Sequence, residues 1–268
     1  MLFFKLHLPL VGRSKFQLLK FWVGGGRCIK PIAPHRHPRQ TPPMSQSDSP
    51  KPRPRRAASI LMPAGPDYAF ETEHGAPATR VCGIDEAGRG PLAGPVVAGA
   101  AVIDMARLPE GLNDSKKLTH KKREELFAAL MKSADIGIGI ASVEEIDEIN
   151  ILQATMLAMT RALEALGSPP AFALIDGNRV PKFACPARAI VKGDGRVLSI
   201  AAASIAAKVT RDRIMLDLAR SHPGYGWEKN MGYGTKMHMD ALQRLGASPH
   251  HRKSFAPVRN ILSPAIPN

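Results

Sequence analysis

Three things are scarce in this chain of 268 residues, and each scarcity excludes something. There are only three cysteines, Cys28, Cys82 and Cys185, an odd number set far apart with no CxxC pair. That excludes a disulfide framework or a cysteine zinc site and makes a reducing, cytoplasmic compartment the expectation. No run approaches 18 uncharged apolar residues, so no segment reads as a membrane-spanning helix. Acids are nearly missing from the first 60 residues, which hold 12 Lys plus Arg against Asp48 alone, a net of +11. The remaining 25 basic and 22 acidic residues give 61–268 a net of only +3, so the formal +14 is a property of the beginning of the chain. A high isoelectric point therefore says little about nucleic-acid binding by the rest.

The basic stretch divides. Met1 to Gly26 is apolar but interrupted by Lys5, Arg13, Lys15 and Lys20, which leaves no clean signal-peptide core. Arg27 to Arg56 is rich in Pro, Arg, Ser and His and reads as disordered, because it cannot bury enough apolar surface to offset its ordering entropy. It fits a targeting peptide, a phosphate-binding arm, or an over-long reading frame whose start is Met44 or Met62. Residues 1–75 are thus expected to be a disordered extension, and 76–262 a folded domain.

Within that domain apolar runs alternate with amphipathic ones. Strands are expected at Arg80–Asp85, Val96–Asp104, Ile136–Val143, Ala171–Asp176 and Ala187–Val191, and helices at His120–Lys132, Glu144–Leu166, Val197–Ser221 and Thr235–Leu245. Thr119 is placed to cap the first helix. The pattern predicts an α/β fold: a mixed sheet flanked by helices, with a C-terminal helical segment.

Acids stand at strand ends. Asp85 and Glu86 close one strand, Asp176 closes another, and Asp194 sits in a glycine-flanked turn ahead of the long helix. Carboxylates meeting at a sheet edge repel one another unless cations neutralise them, and oxygen-only ligation selects Mg²⁺ or Mn²⁺ over zinc. Two such ions about 3.5–4 Å apart suit phosphodiester hydrolysis. Each acid taken singly also fits a cap or a turn, and Asp85 and Glu86 can share a site only if the strand ends there, since successive strand residues face opposite ways.

Other elements point to a phosphate-bearing ligand. Gly88-Arg89-Gly90 lacks P-loop spacing, yet can bring backbone amides against a hydroxyl or phosphate. Lys116, in the Asn113–Lys117 segment before a helix, can hold a phosphate. Ser204 and Lys208 share a helix face at i and i+4, and Tyr233 stands between glycines, suited to stacking on a sugar or base. Ser204 and Lys208 do not form an SxxK pair, and the adjacent His250 and His251 do not suit zinc chelation.

Seven segments then stand in the order seen in bacterial ribonuclease HII, the type 2 ribonuclease H family: GIDEAGRGPLAGPVVAGAAVI (83–103), NDSKKLT (113–119), IDGN (175–178), VKGDG (191–195), SIAAASIAAKVTRDR (199–213), GYGTKMH (232–238) and HHRKSFAPV (250–258). The chain resembles that family over about 80–258. The resemblance implies an RNase H-like fold and a metal-dependent endoribonuclease acting on RNA–DNA hybrids and on DNA duplexes carrying single ribonucleotides. Incision would fall 5′ to the ribonucleotide and leave 3′-hydroxyl and 5′-phosphate ends. It makes Asp85, Glu86, Asp176 and Asp194 the catalytic acids and ligands of Mg²⁺ or Mn²⁺, with two ions when substrate is bound. It makes Gly88, Arg89 and Gly90 the reader of the 2′-hydroxyl, Tyr233 the stacking ring, and Lys116, Ser204 and Lys208 phosphate contacts. Two departures from the family pattern are Gly99, where Ala is typical, and Ala206, where a larger aliphatic is usual. A monomer is expected. The rival readings are another two-metal nuclease on a related fold and a hybrid-binding module without turnover.

Overall fold

The computed structural model describes residues 65–263, so the expected disorder of residues 1–64 lies outside the described residues. Five strands form one mixed sheet in the order β3-β2-β1-β4-β5. A short helix, α1 (Ala69–Glu73), precedes β1 (Val81–Ala87) and β2 (Val96–Ile103). Next come α2 (His120–Ser133), β3 (Ala134–Ala141), α3 (Val143–Glu164), β4 (Phe172–Asp176) and β5 (Ala187–Ile190). The chain continues through the long α4 (Leu198–Ser221) into α5 (Trp227–Asn230), α6 (Lys236–Leu245) and α7 (Ala256–Leu262). β1, β2 and β3 are antiparallel, whereas β1, β4 and β5 run parallel. This is the mixed α/β sheet read from the strand and helix pattern, in the RNase H-like form that the family resemblance implies.

Alternation divides the sheet into two faces. Cys82, Ile84, Val96, Ala98, Ala100 and Ile175 face α3. Ala101 and Ile103 face α4 and α2, and Val81 and Leu174 also pack against α4. α4 comes close because the run from Ser199 to Ala207 is small and wholly buried. Its backbone rides directly over two glycines: a Cβ at Gly83 would lie 2.1 Å from the Ser199 carbonyl carbon, and one at Gly99 would lie 2.4 Å from the Ala203 oxygen. Gly99 is therefore dictated by this helix–sheet distance. Gly99→Ala is expected to cost about 1–3 kcal/mol by overpacking against backbone, read as a lower urea midpoint.

The helix starts carry visible caps. Thr119 Oγ1 accepts from Lys122 N, and Ser142 and Glu145 form a reciprocal capping box on α3. α4 has no local side-chain cap; Glu71, buried on α1, supplies one by accepting from Ser199 N at 2.7 Å. Burial raises the Glu71 pKa against the help of that bond. The domain boundary expected at residue 76 therefore cuts through packed structure, since Asp67 also bridges to Val197. α3 is broken where continuity was expected. Asn150 takes φ 67°, ψ 162°, and its Oδ1 accepts from Leu152 N and Gln153 N, so it ends one helical segment and caps the next. No helix among the described residues is long and apolar enough to cross a membrane.

Candidate active site

β1 and β4 stay paired through Ile84↔Ile175 and then part. Asp85 and Asp176 are the next residue on each strand, so they emerge side by side on the α4 face of the sheet. Asp194 joins them from the 3-10 turn Gly193–Gly195, whose first amide donates to Asp176 Oδ1 at 2.6 Å. One oxygen from each of the three carboxylates lies within 4.8 Å of the other two. Asp85 and Asp194 are buried.

Glu86 lies outside this 4.8 Å group but within electrostatic reach of it, raising the Asp85 pKa and being raised by Asp176. β1 continues through Ala87, so Glu86 starts from the opposite side of the strand to Asp85, and at the end of the sheet its side chain comes round to line the cleft that Ser204 and Lys208 line from α4. Its carboxylate pairs with Arg89 at 3.2 Å on the rim of the neighbouring cleft. The expected group of four is thus a tight trio with Glu86 alongside.

Burial raises the pKa of Asp85, with Glu86 and Asp176 adding repulsion, while Ser204 and the Glu86 amide pull the other way. Asp194 is raised by burial and by Asp176 and Asp114, against Lys116. Glu86 is raised by burial despite Arg89. The Lys116 ammonium, 3.6 Å from Asp194, is raised overall: partial burial opposes the shift, but Asp194, Asp85, Asp114 and Asp176 outweigh it. One exposed lysine is poor compensation for three crowded carboxylates. The donor set is all oxygen, under-neutralised and partly open, which fits a hard divalent cation such as Mg²⁺ or Mn²⁺.

Beside the trio opens a cleft of about 280 Å³. Gly88, Arg89, Gly90, Lys116, Ser204, Lys208 and Tyr233 all line it, which gathers every residue expected on the substrate side. Tyr233 is 47% exposed, and a Cβ on Gly90 would sit 3.7 Å from its ring. Lys208 is not a free cation, because it pairs with Asp212 at 2.7 Å. Ser204 Oγ lies 2.9 Å from Ser115 Oγ, and Arg123 holds the Ser115 and Leu118 carbonyls, fixing the 113–119 loop over the cleft. A second cleft of about 650 Å³ extends past Asp176 and Asp194 toward Lys117, Lys192 and Arg196. A larger groove, about 770 Å³, lies over α3 and contains none of these residues.

Two buried arginines have roles that the sequence does not announce: Arg211, on the long helix with Lys208 and Arg213, and Arg252. Arg211 donates to the carbonyls of Ala93, Pro95 and Met231. Arg252 donates to those of Gly88, Arg89, Gly94 and Pro95. Burial, with Arg211 nearby, pushes the Arg252 pKa down to about 9. Gly88 sits at φ +97°, where a Cβ would strike the Arg211 guanidinium at 2.0 Å, so glycine is required there twice over. With these carbonyls committed to arginine, the amides of Arg89 and Gly90 donate to no other described residue.

Under Tyr233 lies a histidine pair. The Tyr233 carbonyl can only accept, so His238 Nδ1 carries the proton that reaches it at 2.9 Å. His238 Nε2 is then an acceptor, taking Trp227 Nε1–H at 3.0 Å and His251 Nε2–H at 3.0 Å. His251 Nδ1 accepts from Ser248 N at 2.9 Å. The HHRKSF and TRDR motifs stood in plain view, but no spacing rule assigns buried carbonyl-binding roles to His or Arg.

Comparison with known proteins agrees with this geometry. The family profile described as Ribonuclease HII matches residues 82–258. Ribonuclease HII of Parvibaculum lavamentivorans is 60% identical over 229 residues, covering 85% of this chain and 82% of that protein. The Paramagnetospirillum magneticum Ribonuclease HII is 62% identical over 197 residues, covering 72% and 96%. Among solved structures, the ribonuclease H2 of Pyrococcus horikoshii OT3 matches with TM-score 0.58 and 32% identity, over 68% of this chain and 96% of that one. A Bst-RNase HIII in complex with Mn²⁺ shares the fold, with TM-score 0.55 at 19% identity over 71% of each chain. Seven ordered motifs, the mixed sheet and the carboxylate trio thus meet in one body matched along most of its relatives' length, and the chain belongs to the ribonuclease HII family, whose members are ribonuclease H hydrolases.

Proposed function

We propose that this chain cuts duplex DNA 5′ to embedded ribonucleotides and cleaves the RNA strand of RNA–DNA hybrids, leaving 3′-hydroxyl and 5′-phosphate ends. The observation that carries the reading is the adjacency of two dissimilar sites: a crowded carboxylate trio, and a turn whose carbonyls are tied inward beside an exposed tyrosine. The first suits a phosphodiester and the second a sugar edge. A 2′-hydroxyl both donates and accepts, so the free amides of Arg89 and Gly90 can recognise it where a 2′-deoxy sugar offers no partner.

Asp85, Asp176 and Asp194 would hold Mg²⁺ or Mn²⁺, with Glu86 reaching in from the rim when two ions and substrate are present. The ions, when bound, supply Lewis acidity and a nucleophile near neutral pH. The protein's own part is to fix the carboxylates, seat the scissile phosphate and admit only a ribose. Cation binding at the trio would release Lys116 from Asp194 to meet the phosphate, with Ser204 and Lys208 on the same wall. The Tyr233 ring would stack on the adjoining sugar. An isolated chain acting as a monomer is sufficient, because every group named comes from one copy. The solved PCNA:RNase HII complex of Archaeoglobus fulgidus makes PCNA a candidate partner to test by co-purification.

The test is incubation of the full chain with Mg²⁺ or Mn²⁺ and a duplex carrying one ribonucleotide, beside an all-DNA duplex. Incision on the 5′ side of the ribonucleotide, giving an upstream fragment that a DNA polymerase extends from its 3′-hydroxyl and a downstream fragment whose 5′-phosphate a phosphatase removes, supports the reading. Cleavage of the all-DNA duplex points to the rival DNA nuclease, and binding without turnover to the rival binding module. Tyr233→Ala is expected to raise KM for the ribonucleotide duplex about tenfold, the loss of one stacking contact.

A further inference from the structure

The segment His250–Ser254, between α6 and α7, contributes nothing to the lining of either cleft at the carboxylates. It nonetheless touches both halves of the sugar-recognition site. Arg252 is fully buried and its guanidinium has no carboxylate partner among the described residues; all its side-chain hydrogen bonds go to carbonyls of 88, 89, 94 and 95. An apolar side chain would fill that space without the cost of burying a charge. What the guanidinium alone provides is a rigid planar fork that sets several carbonyls at once. One residue earlier, His251 reaches the Tyr233 carbonyl through His238. Main-chain bonds tie the same stretch to the 92–94 loop, with Arg252 N donating to Leu92 O at 2.8 Å and Gly94 N donating to His250 O at 2.9 Å. Asp147 on α3 anchors the far end, accepting from Lys253 N, Ser254 N and Ser254 Oγ.

Resting on the proposed function, we infer that His250–Ser254 is the positioning element for ribose recognition: Arg252 fixes the Gly88–Gly90 turn, His251 fixes Tyr233 through His238, and the peptide between them sets their separation. Neither residue touches substrate. Both act by keeping the amides and the ring in register before the duplex arrives, so their loss is felt in substrate capture and leaves the carboxylates undisturbed.

The experiment compares wild type with Arg252→Lys and with Asp147→Ala, all as full chains. The readouts are KM and kcat on the single-ribonucleotide duplex, Mn²⁺ affinity by calorimetry without nucleic acid, and the melting temperature. Arg252→Lys keeps the charge but not the fork, and is expected to raise KM about tenfold with kcat and Mn²⁺ affinity within about twofold of wild type. Asp147 is half-buried and spends its carboxylate on this segment, so its variant is expected to fold and free only the anchor; KM should rise about threefold. Asp147→Ala alone decides the matter if Arg252→Lys does not fold. Unchanged KM in the folded variants overturns the inference, as does a parallel loss of Mn²⁺ affinity and melting temperature, the mark of a merely structural part. A wild-type chain that leaves the ribonucleotide duplex intact overturns the proposed function, and with it this inference, whatever the variants do.

Discussion

Asp85→Asn is expected to reduce strand cleavage by about 10³-fold or more while making the metal-free protein more stable. The first effect follows from its place in the trio, where an amide offers a weaker, neutral ligand. The second follows from crowding. Asp85 is buried, and its oxygens lie within 4.8 Å of two further carboxylates. Its pKa is raised by burial first and by Glu86 and Asp176 next, so the folded chain prefers it protonated. Such a group contributes stability below its unfolded pKa and loses it as pH rises through the folded value. At neutral pH the wild type therefore carries a penalty that asparagine lacks. A gain of about 1–2 kcal/mol corresponds to roughly 3–6 °C in melting temperature for a domain of this size. Adding Mn²⁺ should raise the wild-type melting temperature by mass action and leave the variant nearly unmoved. A variant that melts lower than wild type without metal would refute the assignment of strain to this cluster.

Acid should loosen the protein through a different group. His251 is fully buried, and burial, aided by His238, His250 and His222, pushes its pKa down to about 4. The hydrogen bonds explain why: Nδ1 faces the Ser248 amide and Nε2–H is committed to His238, so no site remains for another proton. A base with a depressed folded pKa stabilises the fold fully above its unfolded pKa near 6.5 and loses that contribution as pH falls toward the folded value. Between pH 6.5 and 4 the loss should reach about 2–3 kcal/mol. Carboxylates with raised pKa values act in the opposite sense over part of this range. The histidine contribution is therefore read as the difference in slope between wild type and His251→Gln in denaturant unfolding at several pH values. Equal slopes would show that His251 is not the acid-sensitive group.

Much of this architecture was legible because local signals agreed. AFALID is apolar up to an acid, so both the strand and the position of Asp176 followed from one pattern. The same logic located Asp194 between two glycines. Glu86 was harder, since its role turned on whether β1 stopped at Asp85, and pairing with β2 carries the strand to Ala87. The break at Asn150 was hidden because the apolar stripe continues across it, and only the backbone reveals that one helix has become two. Glu71 and Arg252 were out of reach for a common reason. Charged residues read as solvated unless a partner is visible, and theirs are backbone atoms 128 and up to 164 residues away. Long-range hydrogen bonds to main chain leave no trace in composition or spacing.

The bare backbone contact between α4 and the sheet has a consequence for how the chemistry tolerates change. Ser204, whose hydroxyl draws the Asp85 pKa down, is the neighbour of Ala203, whose carbonyl rests on Gly99. The gap between helix and strand thus works as a spacer that sets how far Ser204 stands from the carboxylates. A single methyl group added at Gly83, or at Gly99 opposite Asp85, would widen it. The dimensions of the reaction centre are in this way recorded in residues that have no side chain at all.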